Sequence, residues 1–560
     1  MRLAAALGAL GLFCACGQEP LPGSPDASTT AATPATPPWF VEEAAARGLL
    51  FEHRSGHAGR YLFPEVVCGG GALFDMDEDG DLDAYLVQSD GVLRARAERA
   101  PNRLFRNAGD GTFADASAGS GTEDRGYGMG AATGDADDDG DQELYVTNLD
   151  GNALLRNDGG GRFQDVSASA GTTVGLWSSS AGFLDHDLDG DLDLYVVNYL
   201  HWSEAFERTC YAKPHGETYC GPSSYDRPAA DTLLRNDGGL RFTDVSREAG
   251  VAEPPGNGLG IACLDVDLDG WPDVFVANDA SPNHLFMNQR DGRFLESSQA
   301  AGCHADQDGM VKAGMGVGVG DVDEDGDEDL LVVNMQNEPD SYFRNERARF
   351  VDRTAGTGFK AITRPMTRFG VGFHDFDHDG LLDLYEADGN ILHSYKSFGP
   401  DPFAEPNLLF RGLGGGRFAE VEPRGGTHPL LAHTSRAAVF GDVDLDGDVD
   451  ILVVNKDGPA DLLVNRAEKR GHWLVLRVVE RGRDALGATV EVRIGARTLV
   501  RIVRGAYSYC AANDLRVHLG LGEAAAADEV RVRWPGGAEE SFGALAGDRA
   551  WTLTRGAGAR

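Results

Sequence analysis

Asp75-Met76-Asp77-Glu78-Asp79-Gly80-Asp81-Leu82-Asp83 sets a carboxylate at every second position around one glycine. Six further stretches repeat the phrase, starting at Asp135, Asp185, Asp265, Asp321, Asp375 and Asp442. Alternating acids around a tight turn can wrap one hard cation in oxygen, and the glycine permits the bend. A motif recurring every 50 to 80 residues also marks a repeat architecture. One observation therefore points both to a metal and to a fold.

The candidate ligands follow from the spacing. They are Asp75, Asp77, Asp79, Asp81 and Asp83 in loop 1; Asp135, Asp137, Asp139, Asp141 and Glu143 in loop 2; and Asp185, Asp187, Asp189, Asp191 and Asp193 in loop 3. Loop 4 offers Asp265, Asp267, Asp269, Trp271 and Asp273, and loop 5 offers Asp321, Asp323, Asp325, Asp327 and Asp329. Loop 6 offers Asp375, Asp377, Asp379, Leu381 and Asp383, and loop 7 offers Asp442, Asp444, Asp446, Asp448 and Asp450. Position 7 needs only its main-chain carbonyl, so Trp271 and Leu381 are tolerated there. Position 9 is expected to close the shell, in bidentate fashion where geometry allows. Up to seven Ca²⁺ ions are expected, because Mg²⁺ demands a smaller, stricter octahedron and no soft ligands are present. An EF-hand would need Glu at position 12. In loop 1 that position is Leu86, inside a strand-like run.

Each loop sits in a larger unit. Apolar Gly70–Phe74 precedes loop 1 and Leu82–Val87 follows it. Next come Asn102–Asn107 and, after a glycine turn, Thr112–Ser117. Four short strands per repeat predict an all-β fold, a seven-bladed β-propeller spanning residues 39–466. The fourth strand recurs around Phe113, Phe163, Phe242, Phe294, Phe350 and Phe418, but blade 7 has none. Trp39–Ala44 matches the pattern and is expected to complete blade 7, pairing the ends of the chain and removing open sheet edges. Two insertions, Tyr199–Ala230 and Glu386–Pro406, fall between second and third strands, on the face away from the cation loops. Connectors on that face carry Tyr127, Trp177, Lys312, Arg364, Arg368, His433 and Arg436, the expected ligand face for a glycan or protein.

Charge is localised. The net charge is −39, and the seven loops hold 37 of the 89 acidic residues, leaving 52 acids against 50 bases elsewhere. Nucleic acid is therefore an unexpected partner. Residues 1–15 have the form of a lipoprotein signal, ending Phe13-Cys14-Ala15-Cys16, with Cys16 as the lipidated residue. Residues 16–38, rich in Pro, Ser, Thr and Ala, form a tether. The membrane is then reached only through that lipid anchor, in an outer membrane or, failing lipidation, not at all after secretion. Cys210 and Cys220 flank one insertion and are expected to pair. Cys68, Cys263, Cys303 and Cys510 are equally readable as buried thiols.

From residue 467 the pattern changes to alternating strands: His472–Val479, Ala485–Ile494, Leu515–Gly522 and Val530–Gly536. Residues 467–555 resemble the ASPIC/UnbV domain through His472-Trp473-Leu474, Leu486-Gly487-Ala488, Leu519-Gly520-Leu521-Gly522 and Trp534-Pro535-Gly536, departing at Cys510-Ala511-Ala512-Asn513. The acidic loops resemble the FG-GAP (VCBS-type) repeats of integrin α propellers. The two together, with Phe51-Glu52-His53, Pro64-Glu65 and Tyr219-Cys220-Gly221-Pro222, resemble the bacterial relatives of the cartilage acidic protein family. The resemblance implies an extracytoplasmic, calcium-binding adhesion or ligand-recognition protein.

Catalytic constellations are thin. The acid pairs are explained by the loops, and His53, His57, His433 and His518 are scattered. No enzyme is expected. The alternatives are a polysaccharide-cleaving propeller using His433 with Arg368 or Arg436, and a tethered assembly factor for another exported protein.

Overall fold

The computed structural model describes residues 36–393 and 398–559. The leader, the proposed lipidation residue Cys16 and the tether up to residue 35 lie outside them. Seven four-stranded antiparallel sheets form the ring. In blade 1 the order is Gly71–Phe74, Asp83–Leu86, Arg103–Asn107 and Phe113–Asp115. Blades 2 to 6 repeat it from Gly128, Ser178, Gly258, Val317 and Arg368. In blade 7, Ser435–Gly441, Asp450–Asn455 and Asp461–Asn465 are completed by the N-terminal strand Phe40–Glu42, with Phe40 opposite Asn465. The innermost strands neighbour one another in a closed cycle, blade 7 against blade 1.

Alternation explains the blades. Second strands such as Glu143–Asn148 are buried along their whole length, packed on both faces by adjoining blades, as sheets covered on two sides require. The fourth strands bury only their leading Phe, since they form the outer rim.

The C-terminal module is two sheets around Leu474, Leu476, Val490 and Trp534. His472–Glu480 pairs with Val517–Gly522 and, in parallel, with Arg549–Thr554, while Thr489–Ile494 lies between Arg497–Ile502 and Ala526–Arg533. It is docked on the cation-loop face. One of its segments, Gly505–Asn513, enters the axis of the ring. Ala511–Ala512 pairs in parallel with Gly71–Ala72 of blade 1, and Ser508 bridges Val317 of blade 5. Cys510 N–H donates to Ser180 Oγ of blade 3 at 3.1 Å, Ser508 Oγ donates to Ala438 O of blade 7 at 3.0 Å, and Val371 N–H of blade 6 donates to Ser508 Oγ at 2.9 Å. Gly130 on blade 2 leaves no room for a Cβ beside Cys510. The departure at Cys510–Asn513 thus belongs to an axial plug, whose small residues fit a channel lined by strands.

From the opposite end the segment Phe51–Gly69 fills the same axis. Tyr509 Oη donates to Val67 O at 2.6 Å, so the two plugs meet inside the ring. Cys68, Cys263, Cys303 and Cys510 are buried and unpaired, and Cys210 is joined to Cys220 by a disulfide. No helix among the described residues is long and apolar enough to cross a membrane.

Candidate metal centres

The seven loops fold alike. Gly80 N–H donates to Asp75 Oδ2 at 3.0 Å, and the same bond closes the turn at Asp135, Asp185, Asp265, Asp321, Asp375 and Asp442. The position-5 acid accepts the N–H of position 7, as Asp79 does from Asp81 at 3.2 Å. Asp139, Asp189, Asp269, Asp325, Asp379 and Asp446 repeat it. Position 9 braces the blade. Asp83 accepts Met76 N–H at 3.1 Å and, from the third strand, Asn107 N–H at 2.8 Å. Glu143, Asp193, Asp273, Asp329, Asp383 and Asp450 do the same. Both position-9 oxygens are therefore engaged by the backbone, and each keeps a second lone pair that can face the loop.

What remains fits a cation. Asp75, Asp77, Asp185, Asp187, Asp321 and Asp323 each keep a buried Oδ1 with no hydrogen-bond partner, a costly arrangement unless something positive sits there. The oxygens of Asp75, Asp77 and Asp83 lie within 4.8 Å of one another, as do ligand atoms of Asp135, Asp137 and Glu143, of Asp185, Asp187 and Asp189, and of Asp265, Asp267 and Asp269. Burial pushes the Asp185 and Asp321 carboxyls up to about 7 and Asp83 and Asp329 up to about 8. Arginines neutralise part of the charge from outside: Arg106 meets Asp77 at 2.5 Å, Arg344 meets Asp323 at 3.4 Å, and Arg411 meets Asp379 at 2.7 Å.

The backbone is strained in a repeated way. Position 4 of every loop has φ between +55° and +63°, at Glu78, Asp138, Leu188, Leu268, Glu324, His378 and Leu445. A left-handed conformation costs a residue with a side chain about 1–2 kcal/mol. The glycine at position 6 is also left-handed, at +93° for Gly80.

Third-strand asparagines link neighbouring loops around the ring at six of the seven blades. Asn157 Nδ2 donates to Gln142 O in its own blade and to Met76 O in the preceding loop, at 3.2 and 2.9 Å. Asn107, Asn236, Asn288, Asn345 and Asn465 likewise reach the preceding loop. Blade 6 has Gly412 at this position. A Cβ there would fall 2.3 Å from Leu382 O of the same blade, and no asparagine reaches from it to loop 5.

The module binds these loops by their main chain. Arg483 donates to Asp135 O at 3.1 Å and to Gly190 O at 2.5 Å, and Arg516 to Gly80 O at 3.4 Å and Asp442 O at 3.3 Å. Arg533 donates to Leu268 O at 2.8 Å, Gly536 N–H to Gly270 O at 3.0 Å, and Arg497 to Gly380 O at 2.8 Å. His518 Nε2 bonds Gly447 O, and Arg497 and Arg504 pair with Glu324 and Glu328 of loop 5. Every loop touches the module, and most contacts are to carbonyls whose direction depends on the loop being folded.

The other face corrects the expected ligand residues. Tyr127, Arg368 and Arg436 are fully buried and Trp177 nearly so. Arg368 pairs with Asp340 at 2.6 Å, and Arg436 donates to Val66 O at 2.7 Å and lies 4.0 Å over the Phe369 ring. Trp177 packs edge-on to Tyr199, and Tyr127 Oη donates to Ser55 O at 3.1 Å. The Phe51–Gly69 plug and the insertions cover them, which sequence spacing could not reveal. Lys312 is half-buried against Asp306, Arg364 is exposed, and His433 holds Asp461 at 2.9 Å, which raises its pKa. His433 thus shares no open axial mouth with either buried arginine.

Where the insertions meet the plug, a polar aromatic cluster reaches the surface. Glu65, itself buried, accepts from Tyr219 Oη at 3.1 Å and holds His57 Nδ1 at 2.7 Å. Tyr61 lies edge-on to Tyr219 at 5.0 Å, and its hydroxyl contacts His393 Nε2 at 3.3 Å. Lys456 Nζ lies over both Tyr219 and Phe403 at about 6 Å, the separations being 5.9 and 5.8 Å. Blade 6 also carries Glu386 and Asp388 where blade 2, for instance, has Val146 and Asn148. Both are fully buried, and none of their four carboxylate oxygens has a partner. The sequence signal was a charged pair in a position otherwise apolar and neutral.

Two family models match this chain. The model for ASPIC and UnbV matches residues 479–560, and that for the FG-GAP-like repeat matches 75–146, 135–196, 265–332 and 321–386. Cartilage acidic protein 1 of Homo sapiens is 29% identical over 337 residues, 57% of this chain and 47% of that protein. The Mus musculus protein is 29% identical over 323 residues, 55% of this chain and 46% of that protein, so the chain matches about half the length of these relatives. Among solved structures, a lectin of Agrocybe aegerita that recognises non-reducing terminal N-acetylglucosamine aligns over 73% of this chain and 90% of its own, at 15% identity and TM-score 0.38. The chain is a nearly all-β protein of FG-GAP-like repeats followed by an ASPIC/UnbV domain, homologous to cartilage acidic protein 1.

Proposed function

We propose that this is an exported, calcium-dependent recognition protein and not an enzyme. The observation that carries the reading is the sevenfold repetition of one strained loop, in six copies of which at least one buried carboxylate oxygen lacks a hydrogen-bond partner. Ca²⁺ suits flexible all-oxygen sites of this kind. Filled at about ten times Kd, seven sites would add roughly 10 kcal/mol, about 1.4 each. Because the C-terminal module holds the loops by their carbonyls, cation binding and module docking support each other. That leaves the insertion face, with Tyr61, His57 and His393 at its surface, to take a glycan or protein ligand. Export is supported by the Cys210–Cys220 disulfide and the N-terminal apolar run.

The test is calorimetric Ca²⁺ titration of the full chain with thermal melts before and after chelation. Several sites and a large fall in Tm are expected. An unchanged melt after exhaustive chelation would sink the structural role of calcium. On glycan arrays, binding lost in Tyr61→Ala with Ca²⁺ content intact supports the recognition face, and release of a cleaved product overturns the non-enzymatic reading.

A further inference from the structure

Between the module and blades 5 to 7 lies a cavity of about 80 Å³. One water needs roughly 10–15 Å³ of such space, so several waters or one small polyatomic ion would fit. Val319 of blade 5, His374 of blade 6 and Phe440 of blade 7 form one side of it. Three arginines of the module, Arg501, Arg504 and Arg516, stand in the other.

Two of these arginines are accounted for. Arg504 pairs with Glu328, which also lines the cavity. Arg516 Nε donates to both oxygens of Asp514, at 3.0 and 2.8 Å. The remaining acid of the wall, Asp442, turns its oxygens into loop 7, where they accept Asp446 N–H at 3.2 Å and Gly447 N–H at 2.9 Å.

Arg501 is left over. It lies on the module strand Arg497–Ile502 and donates to Val500 O at 2.8 Å. Among the described residues its guanidinium has no ion pair. An arginine carries five N–H donors, so this one bond leaves most of them for the cavity. Burial lowers its pKa, and the acids that oppose this most are Asp321 and Asp375. Neither stands within ion-pair distance, and both are committed to their loops, accepting Gly326 N–H at 3.2 Å and Gly380 N–H at 2.7 Å. A cation held this far from bulk water without a counter-ion is costly.

We propose that this cavity is an anion site, in which the Arg501 fork takes one small inorganic oxyanion, sulfate or phosphate, and so neutralises the seam between the module and the ring. The planar guanidinium matches two oxygens of such an ion at once, which a point charge does not. The site is separate from the seven acidic loops and does not depend on what the insertion face binds.

The experiment uses the full chain loaded with Ca²⁺. Sodium sulfate and sodium phosphate, each below the solubility limit of its calcium salt, are titrated by calorimetry against sodium chloride at equal ionic strength. One equivalent of oxyanion is expected. In thermal melts the Tm of the wild type should rise with sulfate and level off, as single-site binding does. A general salting effect grows without saturating and is shared by every variant. Arg501→Gln should weaken sulfate binding about 10-fold or more and remove the saturating part of the rise, with bound Ca²⁺ at the wild-type number. Should Arg501→Gln fail to fold, Arg501→Lys carries the test: it keeps the charge but loses the fork, and should bind sulfate about 10-fold more weakly. No heat from either oxyanion with the wild type would mean that the cavity holds water alone and would overturn the proposal. Wild-type sulfate affinity in whichever variant folds would overturn it as well.

Discussion

The two faces of the ring are built on opposite plans. On one, a single nine-residue solution is written seven times, linked by asparagines and covered by a module that holds its carbonyls. On the other, nothing repeats: a plug, two insertions and a disulfide meet once each. On the function proposed above, stability and recognition are divided between the ends of the same strands.

The largest test of that division is removal of the cation. Chelation should lower Tm steeply, by removing the roughly 10 kcal/mol that seven loops filled at about ten times Kd would contribute. It should open the module side first. Limited proteolysis is expected to cut residues 467–560 early while the disulfide-bearing insertion stays protected. Equal loss of protection on both faces would show that the loops serve the whole ring and not one side.

Next in size is the axial plug. Tyr509 is fully buried where the two plugs meet, with its hydroxyl on Val67 O and its ring edge-on to Phe369 at 5.0 Å. Tyr509→Ala should cost about 3–5 kcal/mol in urea unfolding, as large-to-small core changes do. Tyr211, 71% exposed on the insertion, should cost less than about 0.5 kcal/mol on the same substitution. A small effect at Tyr509 would mean that the plug is loosely seated.

Much of this was legible in the chain because repetition is a local signal. Each loop announces itself by alternating Asp, and Trp39–Ala44 shows its role by matching strands the last blade lacks. The docking of the module was not legible, because it rests on arginines such as Arg483 and Arg516 reaching carbonyls, and a carbonyl has no sequence signature. The ligand residues misled for a related reason. Tyr127 and Trp177 do lie on connectors and Arg368 and Arg436 stand at the start of inner strands, but the covering plug is distant in sequence and spacing says nothing about what lies above. The bracing by position 9 depends on backbone donors from another strand and was equally hidden.

The asparagine links supply a smaller test. Asn157→Ala leaves the carbonyls of Gln142 and Met76 without their donor inside the ring. A loss of about 2–3 kcal/mol is expected, together with weaker cation binding in both loop 1 and loop 2. Blade 6 is the natural control, since Gly412 already lacks the side chain. If Asn157→Ala affected only its own loop, the links would be local braces without communication around the face.

The smallest effect sharpens the contrast between acids that have a cation loop and acids that do not. Glu386 and Asp388 lie at the insertion end of blade 6, and burial, followed for Glu386 by the neighbouring Asp340, raises their pKa well above the ordinary values. A raised carboxyl binds its proton more tightly in the fold than in the unfolded chain. Its stabilising contribution is therefore complete below the ordinary glutamate pKa near 4.5 and fades as pH rises through the folded value. Glu386→Gln removes the ionisation while keeping the shape. The variant should match wild type in urea unfolding near pH 4.5 and exceed it by about 1–3 kcal/mol at pH 8. The opposite sign at pH 8, a Gln variant less stable than wild type, would mean that Glu386 is ionised and compensated in the fold. Negative charge would then be balanced at both ends of the strands, and the two faces would differ in their ligands but not in their electrostatics.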